Sequence, residues 1–253
     1  MKRAIFLLLL AALSLFPALP AAAQNQPGNL AISYQVRVKM GSGLKFEAAL
    51  KEHMAWLRQQ NETWTWEVWS KVRGPDLNEY VIRSAGHTLQ DIDAHAAIAM
   101  ANREHWINTV AQFTERVSGG MALYRGDISI PSPGNATPKL VMAYAYSYKM
   151  GDQEKFDYAA RKITAAIKKT NWPVHFFWLQ PINGVPGPVM VRVVPSENWA
   201  GFKPPSKDFR AMLVEAYGRE EAESLLRMTG KLITGESSSA YMYRSDLSYK
   251  PAQ

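Results

Sequence analysis

The chain has 253 residues, with 29 Lys and Arg against 22 Asp and Glu, and its formal charge of +7 includes Lys2 and Arg3 at the extreme N-terminus. The remaining basic residues are interleaved with acids and form no block, which argues against a nucleic-acid groove. With no cysteine there is neither a disulfide framework nor a lipid-modified cysteine, so stability must come from a packed core, for which 47% hydrophobic residues and 8 Trp supply the material.

The chain opens MKRAIFLLLLAALSLFPALPAAAQ. Lys2 and Arg3 form a basic start, residues 5–15 an apolar run, and Ala21-Ala22-Ala23 a small-residue cleavage site before Gln24. A membrane span needs about 20 apolar residues, more than this run offers. Residues 1–23 therefore read as an export signal, and the expectation is a periplasmic or secreted protein without a membrane anchor.

Next comes a strand at residues 32–39, where Tyr34, Val36 and Val38 alternate with Gln35, Arg37 and Lys39. It ends in KMGSGLKF, and KMGDQEKF recurs at 149–156, 110 residues further on. A second echo pairs YRGDIS (124–129) with YRSDLS (243–248) at an offset of 119. Two matches in the same order indicate a duplicated unit. The nine-residue difference places an insertion in the second copy, near Pro204-Pro205 or Gly218. IPSPGNATP carries the linker, giving boundaries of 24–130, 131–138 and 139–253.

Within the first unit, Phe46, Leu50, His53 and Leu57 make one helical stripe. Strands follow at 63–72 and 79–84, and HTLQDIDAH leads into a second helix with Trp106, Val110, Phe113 and Val117 on its face. Ser118-Gly119-Gly120 reads as its stop, before a last strand at 121–130. The second unit repeats the plan: a strand at 140–149, a helix at 153–169, strands at 174–180 and 189–194, a helical region at 206–233 broken near Gly218, and a strand at 240–248.

The order β-α-β-β-α-β in each unit is that of a ferredoxin-like fold. YAYSY, WTWEVW and HFFWL are apolar on both faces, so both faces of each sheet are expected to be covered. An α+β chain with two tandem ferredoxin-like repeats packed as a pseudo-dimeric barrel resembles the dimeric α+β-barrel superfamily in its single-chain form. That superfamily includes antibiotic-biosynthesis-type monooxygenases, NIPSNAP-like proteins and the haem-containing chlorite dismutase group. No family-specific motif is present from which a site can be carried over.

His87, Asp91, Asp93 and His95 have metal-ligand chemistry, but at a strand-to-helix turn the aspartates serve better as helix caps, so no metal is expected. His53 is matched at offset 110 by Ile163, which marks it as core. An axial haem histidine is expected on a helix beside a cavity, whereas the second unit offers only His175, in a strand, so no cofactor is expected. Arg125-Gly126-Asp127 matches Arg244-Ser245-Asp246 and reads as a local ion pair rather than an adhesion tripeptide. Gly41-Ser42-Gly43 faces Gly151-Asp152-Gln153 in the other copy and reads as a turn.

The barrel lumen remains. Strand parity turns Arg37, Glu67 and His175 inward as a candidate ligand-binding site, with Glu67 orienting Arg37 and His175 available for proton transfer. No catalytic residue stands out. The leading expectation is an exported small-ligand-binding or structural protein of the cell envelope; the alternative is a cofactor-independent monooxygenase-like enzyme using the cavity. A third possibility is an interaction module using Trp172 and Trp199.

Overall fold

The computed structural model describes residues 28–134 and 136–251. The expected export signal and its cleavage point lie outside these residues, as does Asn135 of the linker.

The first half runs β1 (Leu30–Val38), α1 (Gly43–Gln59), β2 (Glu67–Arg73), β3 (Glu79–His87), α2 (Leu89–Ala94), α3 (Ala96–Thr109) and β4 (Thr114–Tyr124). The second runs β5 (Leu140–Tyr148), α4 (Gln153–Lys169), β6 (Phe177–Pro181), β7 (Val189–Ser196), α5 (Phe209–Tyr217), α6 (Arg219–Leu232) and β8 (Ile233–Tyr243). β1, α1, β2 and β3 each begin 110 residues before β5, α4, β6 and β7, and β4 begins 119 before β8. All strand pairs are antiparallel, and the eight strands close a barrel in the order β1-β3-β2-β8-β5-β7-β6-β4. No helix of the described residues is long and apolar enough to cross a membrane.

The alternation in each strand sorts side chains into three layers. Val36 and Val38 of β1 meet Phe46, Leu50, Met54 and Leu57 of α1 in one helix–sheet core. Phe156, Ala160 and Ile167 of α4 meet Tyr148, Trp178 and Met190 in the other, which α5 and α6 close with Met212, Leu213 and Leu225. Between the sheets, Trp69, Val141 and Val193 pack with Val81, Ala143, Phe177, Leu179, Val191, Tyr241 and Tyr243. The expected covering of both sheet faces is thus realised. Leu50 is fully buried, and truncating it to Ala should cost about 2–5 kcal/mol.

Two expected boundaries are corrected. β4 begins at Thr114, so Val117 to Gly120 are strand rather than helix face and stop. β1 pairs with β4 along its whole length, and the two glycines are there for close approach. A Cβ at Gly119 would sit 3.1 Å from the Tyr34 ring, and one at Gly120 would sit 3.0 Å from the Asn183 carbonyl oxygen. β8 likewise begins at Ile233 rather than 240, because the polar run Thr234 to Ser239 still hydrogen-bonds to β5 although it lacks an apolar alternation. The break at Gly218 stands as expected: its φ of +81° separates α5 from α6.

Candidate functional site

A cavity of about 430 Å³ opens in the second half, between the outer face of the sheet and its helices. β5 contributes Tyr144, β7 contributes Arg192 and Val194, and α4 contributes Ile163 and Ile167. The far wall is the connection from β7 to α5, with Phe202, Pro204 and Pro205, and Phe209 at the start of α5. This wall is fixed at its α5 end. Asp208 caps α5 by accepting from the Ala211 N–H at 2.7 Å. The Trp172 indole N–H donates to the Lys207 carbonyl at 2.8 Å, and its ring lies 5.9 Å from that of Phe209.

Arg192, on β7, is the charge that reaches the aromatic wall of this mostly apolar site. Its guanidinium lies 4.8 Å from the Tyr144 ring centre and 5.6 Å from that of Tyr146. The two tyrosine rings stack 6.4 Å apart, and Tyr146 abuts Trp178 at 5.7 Å. Arg192 Nε is buried without a hydrogen-bond partner among the described residues. Burial raises the pKa of the Tyr146 hydroxyl, and the Arg192 charge partly offsets that rise. The site therefore offers flat aromatic walls, the half-buried Arg192 cation and the exposed Lys203 at its far wall, which suits a planar ligand bearing an anionic or strongly polarised oxygen. Its signal in the sequence is an arginine on the helix-facing parity of an apolar strand, VMVRVVPS, where a charge needs a reason.

The three residues expected in the lumen do not meet in one cavity. Arg37 does turn away from the helix core that holds Val36 and Val38, but its partner is Asp76, at 2.5 Å, not Glu67. The register explains this: Glu67 lies opposite Arg83, which lies opposite Ser33, four residues along β1 from Arg37. Four residues of strand span about 13 Å, too far for the proposed pair. Glu67 instead accepts from the Thr137 hydroxyl at 3.3 Å. His175 precedes β6, is exposed at the rim of the 430 Å³ cavity, and lies with Nδ1 3.1 Å from the Pro131 carbonyl. Among the described residues it is the only imidazole lining that cavity.

The corresponding place in the first half is closed. Where the second half has Trp172, Val174, Arg192 and Val194, the residues 110 positions earlier are Glu62, Trp64, Ile82 and Ser84. Trp64 is sandwiched between the rings of His87 and His95, each 3.7 Å away. The buried Glu62 carboxylate accepts from the Trp64 N–H at 2.7 Å and lies 2.9 Å from His95 Nε2. Ser84 Oγ lies 2.7 Å from His87 Nε2. The two histidines of HTLQDIDAH are thus bound to different partners, and no group of three possible metal ligands occurs among the described residues. Between them Thr88 caps α2 by accepting from the Asp91 N–H at 3.1 Å, while the Asp91 carboxylate accepts from the Thr88 N–H at 2.7 Å. The cap is therefore Thr88, with Asp91 completing the box, rather than an aspartate alone.

His53 is buried as expected of a core residue, but it is not isolated: its Nδ1 lies 2.8 Å from His105 Nδ1, and it stacks on Trp56. Burial and the neighbouring His105 lower its pKa to about 4. The Arg125–Asp127 and Arg244–Asp246 pairs form as local ion pairs and reach Asp157 and Glu47, respectively.

No family model matches the chain, and no curated protein matches it. Solved structures do. A candidate monooxygenase from Lactobacillus acidophilus NCFM is 11% identical, with a TM-score of 0.53 over 88% of this chain and 96% of that one. An anthrone oxidase-like protein is 12% identical, with a TM-score of 0.54 over 88% and 94%. A chlorite dismutase variant from Candidatus Nitrospira defluvii is 8% identical, with a TM-score of 0.53 over 87% and 92%. At these identities the likeness concerns architecture. It agrees with the eight-stranded closure and the helices outside: the chain has the dimeric α+β-barrel fold, with the whole barrel supplied by one polypeptide.

Proposed function

We propose that the chain is a small-molecule enzyme of the monooxygenase type whose working pocket is the 430 Å³ cavity of the second half. The observation that carries this reading is Arg192, held on the faces of Tyr144 and Tyr146 with a buried Nε that lacks a partner among the described residues. Oxygenation without a cofactor requires a substrate that itself gives electrons to O2, and hydroxyaromatic compounds do so most readily as their anions. A cation beside aromatic walls stabilises such an anion. His175, which also lines the cavity, would accept the proton. For an anthrone-type substrate, one O2 would be consumed per quinone formed, with one water released. The candidate monooxygenase and the anthrone oxidase-like protein of the same fold support this class of chemistry.

Two further parts of the reading rest on the sequence. The offsets of matching elements, 110 for four pairs and 119 for the last, support a duplicated ferredoxin-like unit, with residues 131–138 as the joint. The N-terminal 23 residues support export, which would place the activity, or simple ligand binding, in the cell envelope or outside the cell.

The test is oxygen uptake with an anthrone, together with fluorescence-detected binding of the corresponding quinone. Arg192→Met should lower affinity at least tenfold. Val174→Trp, which gives the second half the tryptophan of the first, should fill the pocket and abolish both signals. Uptake and binding that survive Val174→Trp would move the activity elsewhere.

A further inference from the structure

The lumen is not uniformly filled, and its two ends differ. At one end Val141, Val193, Trp69 and Tyr243 close the space, with the Trp69 and Tyr243 rings 5.1 Å apart. The corresponding positions at the other end are Ala31, Arg83, Leu179 and Tyr124. There a valine has become alanine, a tryptophan leucine, and a valine arginine. The result is a cavity of about 170 Å³ lined by Asn29, Ala31, Arg83, Tyr124, Phe177 and Leu179, among others.

Arg83 is oriented into this space by β3, where Tyr80, Ile82 and Ser84 take the opposite, helix-facing parity. Glu67 lies directly across the ladder, yet its carboxylate is engaged by Thr137 and makes no ion pair with Arg83 within 4.0 Å among the described residues. Among those residues Arg83 also has no side-chain hydrogen bond, and neither do the Asn29 amide or the Tyr124 hydroxyl. Burial lowers the pKa of Arg83, and the Glu67 charge opposes that shift. No Arg83 nitrogen is both buried and unpartnered, so its guanidinium opens onto the cavity, where an anion can take the place of water.

From these features we infer that the lumen cavity is a binding site for a small monocarboxylate. The guanidinium of Arg83 presents two N–H groups in the geometry of a carboxylate, with Asn29 and Tyr124 as further donors. Phe177, Leu179 and Ala31 receive a short apolar or aromatic tail. The volume admits a group the size of benzoate and excludes a polycyclic compound. This site lies inside the barrel, whereas the cavity of Arg192 lies outside the sheet, so the two are independent.

Titration calorimetry with benzoate tests the proposal, with benzamide as the neutral isostere and sulfate as an inorganic oxyanion. Saturable binding of benzoate is expected, at least tenfold tighter than that of benzamide. Measured in an Arg192→Gln background, which removes the outer cavity's cation, Arg83→Gln and Leu179→Trp should each weaken it at least tenfold. Leu179→Trp keeps Arg83 and restores the residue of the opposite end, so it tests the cavity even if Arg83→Gln does not fold. Absence of saturable binding, equal affinity for benzamide, or binding insensitive to Leu179→Trp would overturn the site. Loss on Arg192→Gln alone would put the anion in the outer pocket, and sulfate competing as well as benzoate would overturn the carboxylate assignment.

Discussion

The two helix–sheet interfaces have the same plan and opposite contents. In the first half, Glu62, Trp64, Ser84, His87 and His95 fill the space with a hydrogen-bonded, stacked cluster. In the second, Trp172, Val174 and Val194 line a cavity beside Arg192. A buried carboxylate and two imidazoles resemble a catalytic constellation when read one at a time. The comparison shows that here they pack a closed interior, while the open site depends on one arginine and aromatic surface. Polar residues in a core are costly unless every one is paired, and this cluster supplies the pairs.

The largest expected effect breaks the closed half. Glu62→Ala leaves His95 and the Trp64 N–H without their buried acceptor and should destabilise the fold by about 3–5 kcal/mol in urea unfolding. A loss below about 1 kcal/mol would mean that the cluster is not the packing element described. The acid response comes next. His53 titrates at about 4 in the fold against an ordinary value of 6.5, so the unfolded chain takes up the proton first. Its contribution is complete above pH 6.5 and is lost as pH falls from 6.5 to about 4, by up to about 3 kcal/mol. His87 and His105 are shifted in the same direction, chiefly by burial. His53→Leu should flatten the pH dependence of stability while keeping the fold at pH 7, since Ile163 serves at the matching position; an unchanged pH profile in that variant would count against His53 as the sensor. The smallest effect sharpens the comparison. Thr88→Ala removes the cap between His87 and His95 and should cost about 1 kcal/mol. Hydrogen exchange should rise in α2 and at Trp64 but not in the second half.

Much of the architecture could be read from KMG at 39 and 149 and from YR at 124 and 243, because the offsets of these pairs recur in the element boundaries. Helix stripes such as Phe46-Leu50-Leu57 were legible for the usual reason, that burial imposes a period. The first halves of β4 and β8 were not, because Glu115 to Gly120 and Thr234 to Ser239 are polar or glycine-rich and owe their strand form to neighbouring backbones. The site was harder still. Parity correctly put Val36 and Val38 on the helix side, but pairing Arg37 with Glu67 required knowledge of the stagger between β1, β3 and β2. Arg192 and Arg83 were missed, although each is a charge in an apolar strand; only the closed barrel shows that one faces outward and one inward.

Closure of the barrel also has a kinetic consequence. The seams that complete it, β2 with β8 and β4 with β6, join the two halves, and Trp69 pairs with Tyr243 near the far end of the chain. Each half made alone would present β2 and β4, or β6 and β8, as open edges. Such non-local pairings pay loop-closure entropy before they return stability, so folding on the millisecond-to-second scale is the expectation. During synthesis the first half must wait, edges exposed, until β8 emerges. The native protein, with every strand edge satisfied, offers no template for further strands, whereas its half-made precursor offers two.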